Sequence, residues 1–320
     1  MTREVFAPGK MVLTGAYAVL RGAPALVVAV SRGAIATDAR EAPATPEVAA
    51  ALGVATAPAL DLRALFEGDR KLGLGASAAG LVATLGLCAA LRGERLDDAS
   101  ARDALFRAAL AAHRAAQGGG SGVDVAASVY GGVLEYTLEG SSASPEVTPT
   151  ALPPGVTLAA YAAGASARTS DLRRLVDGLC QRSPERAGQL FDALGRASFE
   201  ARDACRARAA DAFLASARAF ASALAALGAA AEAPIVSAAD RALAALAAGA
   251  GGAFFPSGAG GGDVAVLLAS RPEAADAFDA QALGHGYTRL SLSLDARGLR
   301  TLAGAGHLTA PFTEETSTPP

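Results

Sequence analysis

The stretch Lys71-Leu-Gly-Leu-Gly-Ala-Ser-Ala-Ala79 places a glycine loop directly before an apolar helix, which we expect over Ser77–Leu91 with its end at Gly93. Glycine lets backbone N–H groups approach an anion closely, and the N-terminus of the following helix adds a favourable dipole. The loop fits the loose GxGxxA pattern of dinucleotide-binding folds, but residues 66–71 before it do not resemble a buried strand. Neither lysine of the chain falls in a Walker A frame. The stretch therefore indicates phosphate binding outside those two patterns.

Two further glycine-rich segments interrupt the helical pattern, at Gly118–Gly122 and Gly258–Gly262. Any one of the three loops could be only a turn or a helix C-cap. Three such loops in one chain favour phosphate handling, because each can present backbone N–H groups to an anion.

The two lysines of the chain are placed unusually. Lys10 and Lys71 are the only lysines among 28 basic residues. Lys10 follows Ala7-Pro8-Gly9, just ahead of an apolar strand, and Lys71 stands two residues before the Gly73 loop. A lysine ammonium is a compact charge that can follow a moving phosphate, whereas guanidinium is a planar fork. We expect both lysines to flank anion sites, unless two exposed lysines escaped replacement by chance.

The composition describes a globular chain without a strong excess of either charge. Of 320 residues, 52% are hydrophobic and 18% charged, so a sizeable core is available. The net charge of −3 gives no argument for nucleic acid or an anionic membrane as a partner. Three widely spaced cysteines without metal-binding spacing indicate free thiols. The N-terminus lacks a signal peptide's apolar region, and the charges in the Ala/Leu-rich stretch 205–230 argue against a bilayer span. We expect a cytoplasmic monomer or homodimer.

Helices and strands are mixed without regular βαβ alternation, which favours an α+β fold over a doubly wound sheet. A Ser- and Pro-rich stretch, 141–154, predicts the boundary between an N-terminal lobe, 1–150, and a C-terminal lobe, 151–308. Residues 309–320 have the composition of a disordered tail. Residues 41–70, rich in Ala and Pro, indicate a loop with a helical turn. The remaining predicted elements are strands within the first forty residues and near 133–138, 157–161, 253–255, 264–268 and 286–294, a helix over 98–117 and several helices between 170 and 249.

Three segments resemble, in order, the motifs of the GHMP kinases, the superfamily of galactokinase, homoserine kinase and mevalonate kinase. The first is Ala7–Leu20, the second is Lys71–Ala79, and the third is Pro256-Ser-Gly-Ala-Gly-Gly-Gly-Asp263. Together they span nearly the whole chain. The resemblance implies a two-lobed α+β fold with a ferredoxin-like C-terminal lobe, an active site between the lobes, and ATP with Mg²⁺ as cofactors.

Within that superfamily the sequence most resembles the phosphomevalonate kinases. That family carries a Lys just ahead of its second motif, matched by Lys71, and a Gly-x-Tyr in its first, matched by Gly15-Ala-Tyr17. It also carries a His-x3-Gln that leads into a Gly-Ser-Gly-x-Asp, matched by His113, Gln117 and Ser121–Asp124. The resemblance implies ATP-dependent phosphorylation of 5-phosphomevalonate to mevalonate diphosphate, a step of isoprenoid synthesis by the mevalonate pathway.

The resemblance also implies a role for each matching residue. Lys10 and Asp124 would lie at the reacting centre, and Ser77 would bind Mg²⁺ through its hydroxyl. The nucleotide would be held by the second and third motifs, at Gly73, Leu74, Gly75, Ala76, Ser77, Gly258, Ala259, Gly260 and Asp263. The substrate would be held by Tyr17, Lys71, His113, Gln117, Ser121 and Arg168. His113 and Gln117 are four residues apart, so they share one face of a helix.

The acceptor decides what Asp124 must do. Phosphoryl transfer depends on positioning and charge neutralisation, and a hydroxyl acceptor also benefits from a carboxylate base. A phosphate acceptor is already largely anionic at pH 7 and needs no base. Asp124 would then orient Lys10 or a metal. Alternative interpretations are Asp124 as a helix N-cap and His113 as an exposed helix residue, and we interpret Arg173-Arg174 as a solvated helix face.

Several positions depart from the family pattern and leave the acceptor open. They are Ala16, Ala76, Gly119, Phe255 and Arg168. Positive charge that relatives often carry at positions 119 and 255 is only partly replaced by Arg168. Mevalonate kinase and mevalonate diphosphate decarboxylase of the same superfamily are alternatives, as is a catalytically silent homologue that binds nucleotides or metabolites. Retention of Lys10, Ser77 and Asp124 argues against a silent homologue.

Overall fold

The computed structural model of the protein describes residues 2–138, 144–164, 169–271 and 273–302. The strands are β1 (Glu4–Thr14), β2 (Ala25–Pro43), β3 (Thr56–Asp61), β4 (Phe66–Glu67), β5 (Arg70–Lys71), β6 (Val133–Thr137), β7 (Glu146–Thr150), β8 (Thr157–Ala163), β9 (Ala253–Pro256), β10 (Val264–Ala269), β11 (Tyr287–Leu290) and β12 (Arg300–Leu302). The helices are α1 (Pro46–Leu52), α2 (Ala76–Leu91), α3 (Ala99–Gln117), α4 (Val123–Tyr130), α5 (Thr169–Arg182), α6 (Pro184–Arg206), α7 (Ala210–Ala231), α8 (Ala238–Gly249) and α9 (Glu273–Gly284). The mixture of helices and antiparallel sheets confirms the α+β fold.

A six-stranded antiparallel sheet forms the first lobe, in the order β12-β1-β2-β6-β7 with β3 beside β2. The apolar run Ala25–Val30 in β2 is completely buried, as expected for a central strand covered on both faces. Helices α2 and α4 pack against β1 and β2, and α3 packs on α2 and α4. This packing brings the N-termini of α2 and α4 to the same side of β1.

The C-terminal part of the chain returns to this first sheet. Strand β12 pairs antiparallel with the start of β1, with Glu4 opposite Leu302 and Phe6 opposite Arg300. The segment 151–308 therefore contains a strand of the first lobe's sheet. Three residues are too few to show the alternation by which a strand is found in a sequence.

The second lobe is built on a four-stranded antiparallel sheet in the order β11-β8-β10-β9. One face packs against α8 and α9 around an aromatic cluster in which the Tyr161 ring meets the rings of Phe254 and Phe278 edge to face. Helices α5, α6 and α7 pack together, and α6 also contacts β1 and β2. The helical layer therefore joins the two lobes.

Helix α7 is long and apolar enough, by length and composition, to cross a membrane, and it is the single such helix among the described residues. Half of its apolar window is buried inside the protein, where Phe213, Phe220 and Leu224 lie in the core. Two of the charges that argued against a span, Arg206 and Arg208, precede the helix. Burial against α6 and β9 accounts for its apolar composition.

The segment 41–70 is more ordered than its composition suggests. It contains α1, the edge strand β3 and the hairpin β4–β5. Strand β3 has the sequence Thr-Ala-Pro-Ala-Leu-Asp, in which only Thr56 is of the β-branched or aromatic kind typical of strands. Its pairing with the nineteen-residue strand β2, which places Ile35 opposite Asp61, forms it instead. Pro58 is tolerated there because β3 lies at a sheet edge.

Candidate active site

A cleft of about 600 Å³ lies where the three glycine-rich motifs meet. Its wall comes from both lobes, because residues of β1, α2, α3 and α4 face the loop after β9 and the helix α5. The sequence-predicted residues that line it are Lys10, Tyr17, Lys71, Gly73, Gly75, Ala76, Ser77, His113, Gln117, Ser121, Asp124, Gly258, Ala259, Gly260 and Asp263. The structure therefore brings together segments that lie up to about 250 residues apart in the chain.

The first and second motifs touch through their backbones. A Cβ atom at Gly9 would lie 2.6 Å from the Leu74 carbonyl oxygen, so no other residue allows this approach. The backbone N–H of Lys10 donates to the same oxygen at 2.9 Å. The Nζ atom of Lys10 donates to the Gly73 carbonyl at 2.9 Å, which fixes the ammonium beside the loop. Leu74 itself points away from the cleft, and its side chain is buried in the core.

The N-terminus of α2 opens into the cleft without a side-chain cap. Its N-cap residue, Gly75, has a φ of 82°, in the left-handed region that favours glycine. A Cβ atom at Gly75 would lie 3.2 Å from Cγ of Lys10 and 3.6 Å from Cβ of Asp124. The uncapped N–H groups and the positive end of the helix dipole suit an anion such as a phosphate.

Asp124 lies in the first turn of α4, and a hydrogen bond between α4 and β1 fixes the position of this helix. The Ser128 hydroxyl donates to the Pro8 carbonyl at 2.7 Å and ties α4 to β1. The helix begins at Val123 after Gly122, so Asp124 is not its N-cap. Its Oδ2 atom lies 3.3 Å from Nε2 of His113, and its Oδ1 atom accepts the backbone N–H of Val125 at 3.0 Å.

The charges around Asp124 alternate in sign. Burial acts to raise the pKa of Asp124, but the hydrogen bond and charge of His113, together with Lys10, lower it overall. Burial acts to lower the pKa of His113, and the Asp124 hydrogen bond and nearby carboxylates raise it overall. Burial lowers the pKa of Lys10, although Asp124 and Asp263 act in the opposite direction. Asp124 is therefore a poor proton acceptor, and His113 favours its charged form.

His113 lies in the interior rather than at an exposed helix surface, since only 3% of it is accessible. Its Nδ1 atom is buried and has no hydrogen-bond partner within the described residues. Gln117, one turn further along α3, also lines the cleft, as the four-residue spacing predicts.

The third motif is hydrogen-bonded to the first across the lobes. The Val12 N–H donates to Oγ of Ser257 at 2.8 Å, and the Tyr17 hydroxyl donates to the Ala259 carbonyl at 2.7 Å. A Cβ atom at Gly73 would lie 2.5 Å from the Cβ atom of Asp263, so the third motif also abuts the second. The loop 257–263 therefore closes one side of the cleft.

Tyr17 is held in a strained backbone conformation. Its φ is 64° and its ψ −44°, and the N–H of Ala18 donates to the carbonyl of Ala16 at 2.8 Å. This is a γ-turn of the rare, strained form. Strain of this kind persists where the surrounding structure overdetermines it, and here it aims the Tyr17 ring into the cleft.

Two exposed cations complete the cleft wall. Lys71 lies in the hairpin β4–β5, and Arg173 lies in α5 close enough to Tyr17 to influence the pKa of its hydroxyl, which burial raises. The sequence placed Arg173 and Arg174 together on a solvated helix face. Arg174 pairs with Asp171 at 3.2 Å, whereas Arg173 faces the cleft. Successive residues on a helix point about 100° apart, so two adjacent arginines cannot both face the same way. The orientation of α5 in the fold decides that Arg173 is the one that faces the cleft.

Glu47 is a residue that the sequence did not single out. It follows the N-cap Thr45 and Pro46 in α1, where an acidic residue is ordinarily a solvated contribution to the helix terminus. In the fold only 7% of Glu47 is exposed. Its Oε1 atom accepts from Nε2 of Gln117 at 3.3 Å. Burial acts to raise the pKa of Glu47, but its own backbone N–H and the side chains of Gln117 and Ser77 lower it overall. Its burial results from the packing of α1 against α3, which a local sequence pattern does not reveal.

Two other positions complete the comparison with the sequence predictions. Arg168 lies outside the described residues. Phe255 is buried in the core of the second lobe, where its ring meets that of Phe220 at 5.9 Å between centroids. The side chain at this position therefore does not reach the cleft.

The donor set of the cleft fits Mg²⁺. The Ser77 hydroxyl in the first turn of α2 and the carboxylates of Asp124 and Asp263 line the same cavity, and oxygen atoms are the ligands that Mg²⁺ prefers. The described residues contain no cluster of three or more His, Cys, Asp or Glu that could enclose a metal. This agrees with the ordinary habit of Mg²⁺, which takes one or two protein ligands and fills its shell with phosphate oxygens and waters.

Comparison with known families agrees with the geometry. The model of the family described as GHMP kinases N terminal domain matches residues 47–132, which include α2, α3 and α4. Among curated proteins, none matches the sequence of this chain.

Solved structures of the same fold cover nearly the whole chain. A Lin0012 protein from Listeria innocua has a TM-score of 0.83 at 20% identity and covers 95% of this chain and 100% of its own. A Streptococcus pneumoniae phosphomevalonate kinase in complex with phosphomevalonate and AMPPNP has a TM-score of 0.74 at 15% identity, covering 92% and 99%. An L. major mevalonate kinase in complex with R-mevalonate has a TM-score of 0.67 at 18% identity, covering 91% and 96%. At such identities these structures establish a shared fold.

Proposed function

We propose that this chain, whose residues 47–132 match the GHMP kinase N-terminal family model, transfers the γ-phosphoryl group of ATP to the phosphate of 5-phosphomevalonate, giving mevalonate diphosphate and ADP. The observation that carries the proposal is the arrangement of Lys10 and Asp124 at the uncapped N-terminus of α2. A kinase of this kind contributes positioning and charge neutralisation rather than covalent chemistry.

The nucleotide would bind with its phosphates against the N-terminus of α2. The backbone N–H groups after Gly75 would hold phosphate oxygens, and Lys10 would follow the phosphoryl group as it moves. Mg²⁺, held at the hydroxyl of Ser77 together with the phosphates, would neutralise charge on the nucleotide. The loop that carries Asp263 would close over this side of the cleft.

The state of Asp124 supports a phosphate acceptor. A base that removes a proton from a hydroxyl group must accept that proton near neutral pH. Asp124 lies beside His113 and Lys10, which lower its pKa and suit it to orienting Lys10. An acceptor phosphate that is already anionic needs no base to remove a proton.

The exposed cations of the cleft support the same acceptor. Lys71 and Arg173 lie in different lobes and both line the cavity. A substrate that brings its own phosphate needs positive charge in addition to the cations that hold ATP. Guanidinium binds phosphate through two parallel hydrogen bonds, so Arg173 is suited to the acceptor phosphate.

A coupled ADP-release assay with three acceptors tests the proposal. Phosphomevalonate, mevalonate and mevalonate diphosphate are each supplied with MgATP to the purified full-length chain, and CO₂ is measured in parallel. We expect ADP release with phosphomevalonate only. Turnover of mevalonate but not of its phosphate would refute the acceptor while keeping the superfamily, and CO₂ release from mevalonate diphosphate would indicate a decarboxylase.

A further inference from the structure

Two hydrogen bonds between the lobes lie on either side of Gly258 in the third motif. In the first, the backbone N–H of Val12 donates to Oγ of Ser257 at 2.8 Å. In the second, the Tyr17 hydroxyl donates to the Ala259 carbonyl at 2.7 Å. Both donors belong to the first lobe, and both acceptors lie in the loop that follows β9 in the second lobe. These two inter-lobe bonds attach the loop at the residue before Gly258 and at the residue after it.

The attachment places Gly258 against the ammonium group of Lys10. A Cβ atom at Gly258 would lie 3.7 Å from Nζ of Lys10, so the loop backbone approaches this group closely. The same ammonium donates to the Gly73 carbonyl of the second motif at 2.9 Å. All three motifs therefore meet at one ammonium group, and the two inter-lobe bonds set the position of the third motif relative to it.

The side chain of Tyr17 is committed to the second lobe. A carbonyl oxygen only accepts hydrogen bonds, so the single proton of the Tyr17 hydroxyl is directed at Ala259. Tyr17 and Ala259 both pack against the hydrophobic core. The strained backbone of Tyr17, with a φ of 64°, persists only where surrounding contacts hold it. These contacts suit Tyr17 to joining the two lobes.

We propose that Tyr17 is a positioning residue that holds the third-motif loop, residues 257–263, on the first lobe and thereby keeps the nucleotide site assembled. The resemblance to the phosphomevalonate kinases implies a substrate contact for Tyr17, whereas the structure gives its hydroxyl a partner in the protein. This inference rests on the proposed function only in that nucleotide phosphates bind where the motifs meet. It does not depend on which acceptor the enzyme uses.

Calorimetric titration of the purified full-length chain with MgATP, in the absence of an acceptor, tests the proposal without turnover. Tyr17→Phe keeps the ring and removes only the hydroxyl. We expect it to raise the Kd for MgATP by about fivefold, because part of the binding free energy is then used to order the loop. A hydroxyl that contacts the acceptor would instead leave this Kd unchanged and raise only the KM for phosphomevalonate. That result would overturn the proposal.

Amide hydrogen exchange of the free protein measures the attachment of the loop directly. The Val12 N–H makes the other inter-lobe bond, so its exchange rate reports whether the loop stays in place when the Tyr17 hydroxyl is removed. We expect exchange at Val12 to be about fivefold faster in Tyr17→Phe than in the wild type. An unchanged rate at Val12 would refute the inference, because the loop would then be held without Tyr17.

A second variant loosens the same loop and leaves Tyr17 intact. Ser257→Ala removes the acceptor of the Val12 N–H, and we expect it to raise the Kd for MgATP to a similar extent. An unchanged Kd in Ser257→Ala, beside a raised Kd in Tyr17→Phe, would mean that the Tyr17 hydroxyl acts on the nucleotide itself and not through the loop. The positioning role would then be wrong.

A matched control is available in Tyr287. Its hydroxyl donates to Oδ1 of Asp240 at 2.6 Å, and the residue is buried in the second lobe outside the lining of the cleft. Tyr287→Phe should lower the melting temperature and leave the Kd for MgATP unchanged. An equal rise of this Kd in the Tyr287 and Tyr17 variants would overturn the proposal, because the loss of any buried tyrosine hydroxyl would then give the same effect.

The positioning role and the proposed function fail by different results. If the chain binds MgATP but does not phosphorylate phosphomevalonate, the acceptor assignment fails, and the calorimetric comparison still decides the role of Tyr17. If the chain binds no nucleotide, the proposed function fails, and exchange at Val12 in the free protein still decides whether Tyr17 holds the loop.

Discussion

Two pairs of cations line the same cleft in opposite surroundings. Lys10 and His113 form the floor set, where His113 is buried, Lys10 is largely enclosed, and both lie beside Asp124. Lys71 and Arg173 form the rim set and are exposed. Charges in the floor set are screened little by water and held by neighbours, so they can act on a transferring group. Charges in the rim set are mobile and hydrated, which suits capture of a diffusing anion.

The largest expected effect tests whether the floor set performs the chemistry. Lys10→Arg should reduce kcat by about 10³-fold, because a larger, planar guanidinium does not reproduce the point charge that Lys10 Nζ holds at 2.9 Å from the Gly73 carbonyl. Lys71→Arg should reduce it by about tenfold at most. Single-turnover kinetics with saturating MgATP measure both. A larger loss at Lys71 than at Lys10 would reverse the assignment of the two sets.

The next effect concerns the carboxylate that both floor cations share. Asp124→Asn keeps the shape of the side chain but removes the charge beside Lys10 and His113, and we expect kcat to fall by about 10²-fold with ATP affinity changed less than about threefold. Steady-state kinetics and calorimetric ATP binding give the two quantities. Unchanged turnover would remove Asp124 from the reacting centre.

A smaller effect tests the rim set with a neighbouring control. Arg173→Gln should raise KM for the phosphorylated acceptor by about tenfold with little change in kcat, since a hydrogen bond to a charged group contributes roughly 1.5–3 kcal/mol and exposure reduces it. Arg174→Gln removes the adjacent guanidinium, which pairs with Asp171. Its KM should stay within about twofold of the wild-type value. Equal effects of both variants on KM would mean that acceptor binding depends only on the net charge of α5 and not on a contact with Arg173.

The smallest effect is a dependence of stability on pH. The pKa of His113 is raised overall in the fold despite its burial, because Asp124 and Glu47 favour the charged form. A group whose pKa is higher in the folded than in the unfolded state stabilises fully below the unfolded value, about 6.5 for His. That contribution is lost as the pH rises through the folded value.

The free energy of unfolding should therefore differ between wild type and His113→Gln by about 1 kcal/mol more at about pH 5.5 than at about pH 8.5. Urea denaturation at the two pH values measures this difference. The His285→Gln variant, which removes an exposed histidine, provides the baseline. A difference that grows with pH would contradict a charged His113 in the floor set.

The floor set was predictable from the sequence and the rim set only in part. Lys10, His113 and Asp124 each lie in a segment that resembles a GHMP kinase motif, and this resemblance predicted them as site residues. Arg173 lies in no such motif, and two consecutive arginines on a helix give no sign of which one faces inward. Glu47 was missed for a related reason. An acidic residue after a helix N-cap satisfies a local rule, and its burial depends on tertiary packing alone.

The fold itself was predictable where local signals and packing agree. The helix expected at Ser77–Leu91 is observed at Ala76–Leu91, and the strand expected near Val264–Leu268 is observed at Val264–Ala269. Strand β3 was missed because its Ala and Pro residues have no preference for strands. The strand forms because it pairs with β2.

The pairing of β12 with β1 has a consequence for how the chain is made. Among the described residues, Arg300–Leu302 pairs with the edge of the first sheet at Glu4–Phe6. During synthesis this edge therefore stays open until residue 302 has left the ribosome, long after α2 and Asp124 have emerged. An unpaired strand edge is a template for association with other chains. The sheet that positions α2 and α4 is therefore completed by a contact between residues about 300 positions apart in the sequence.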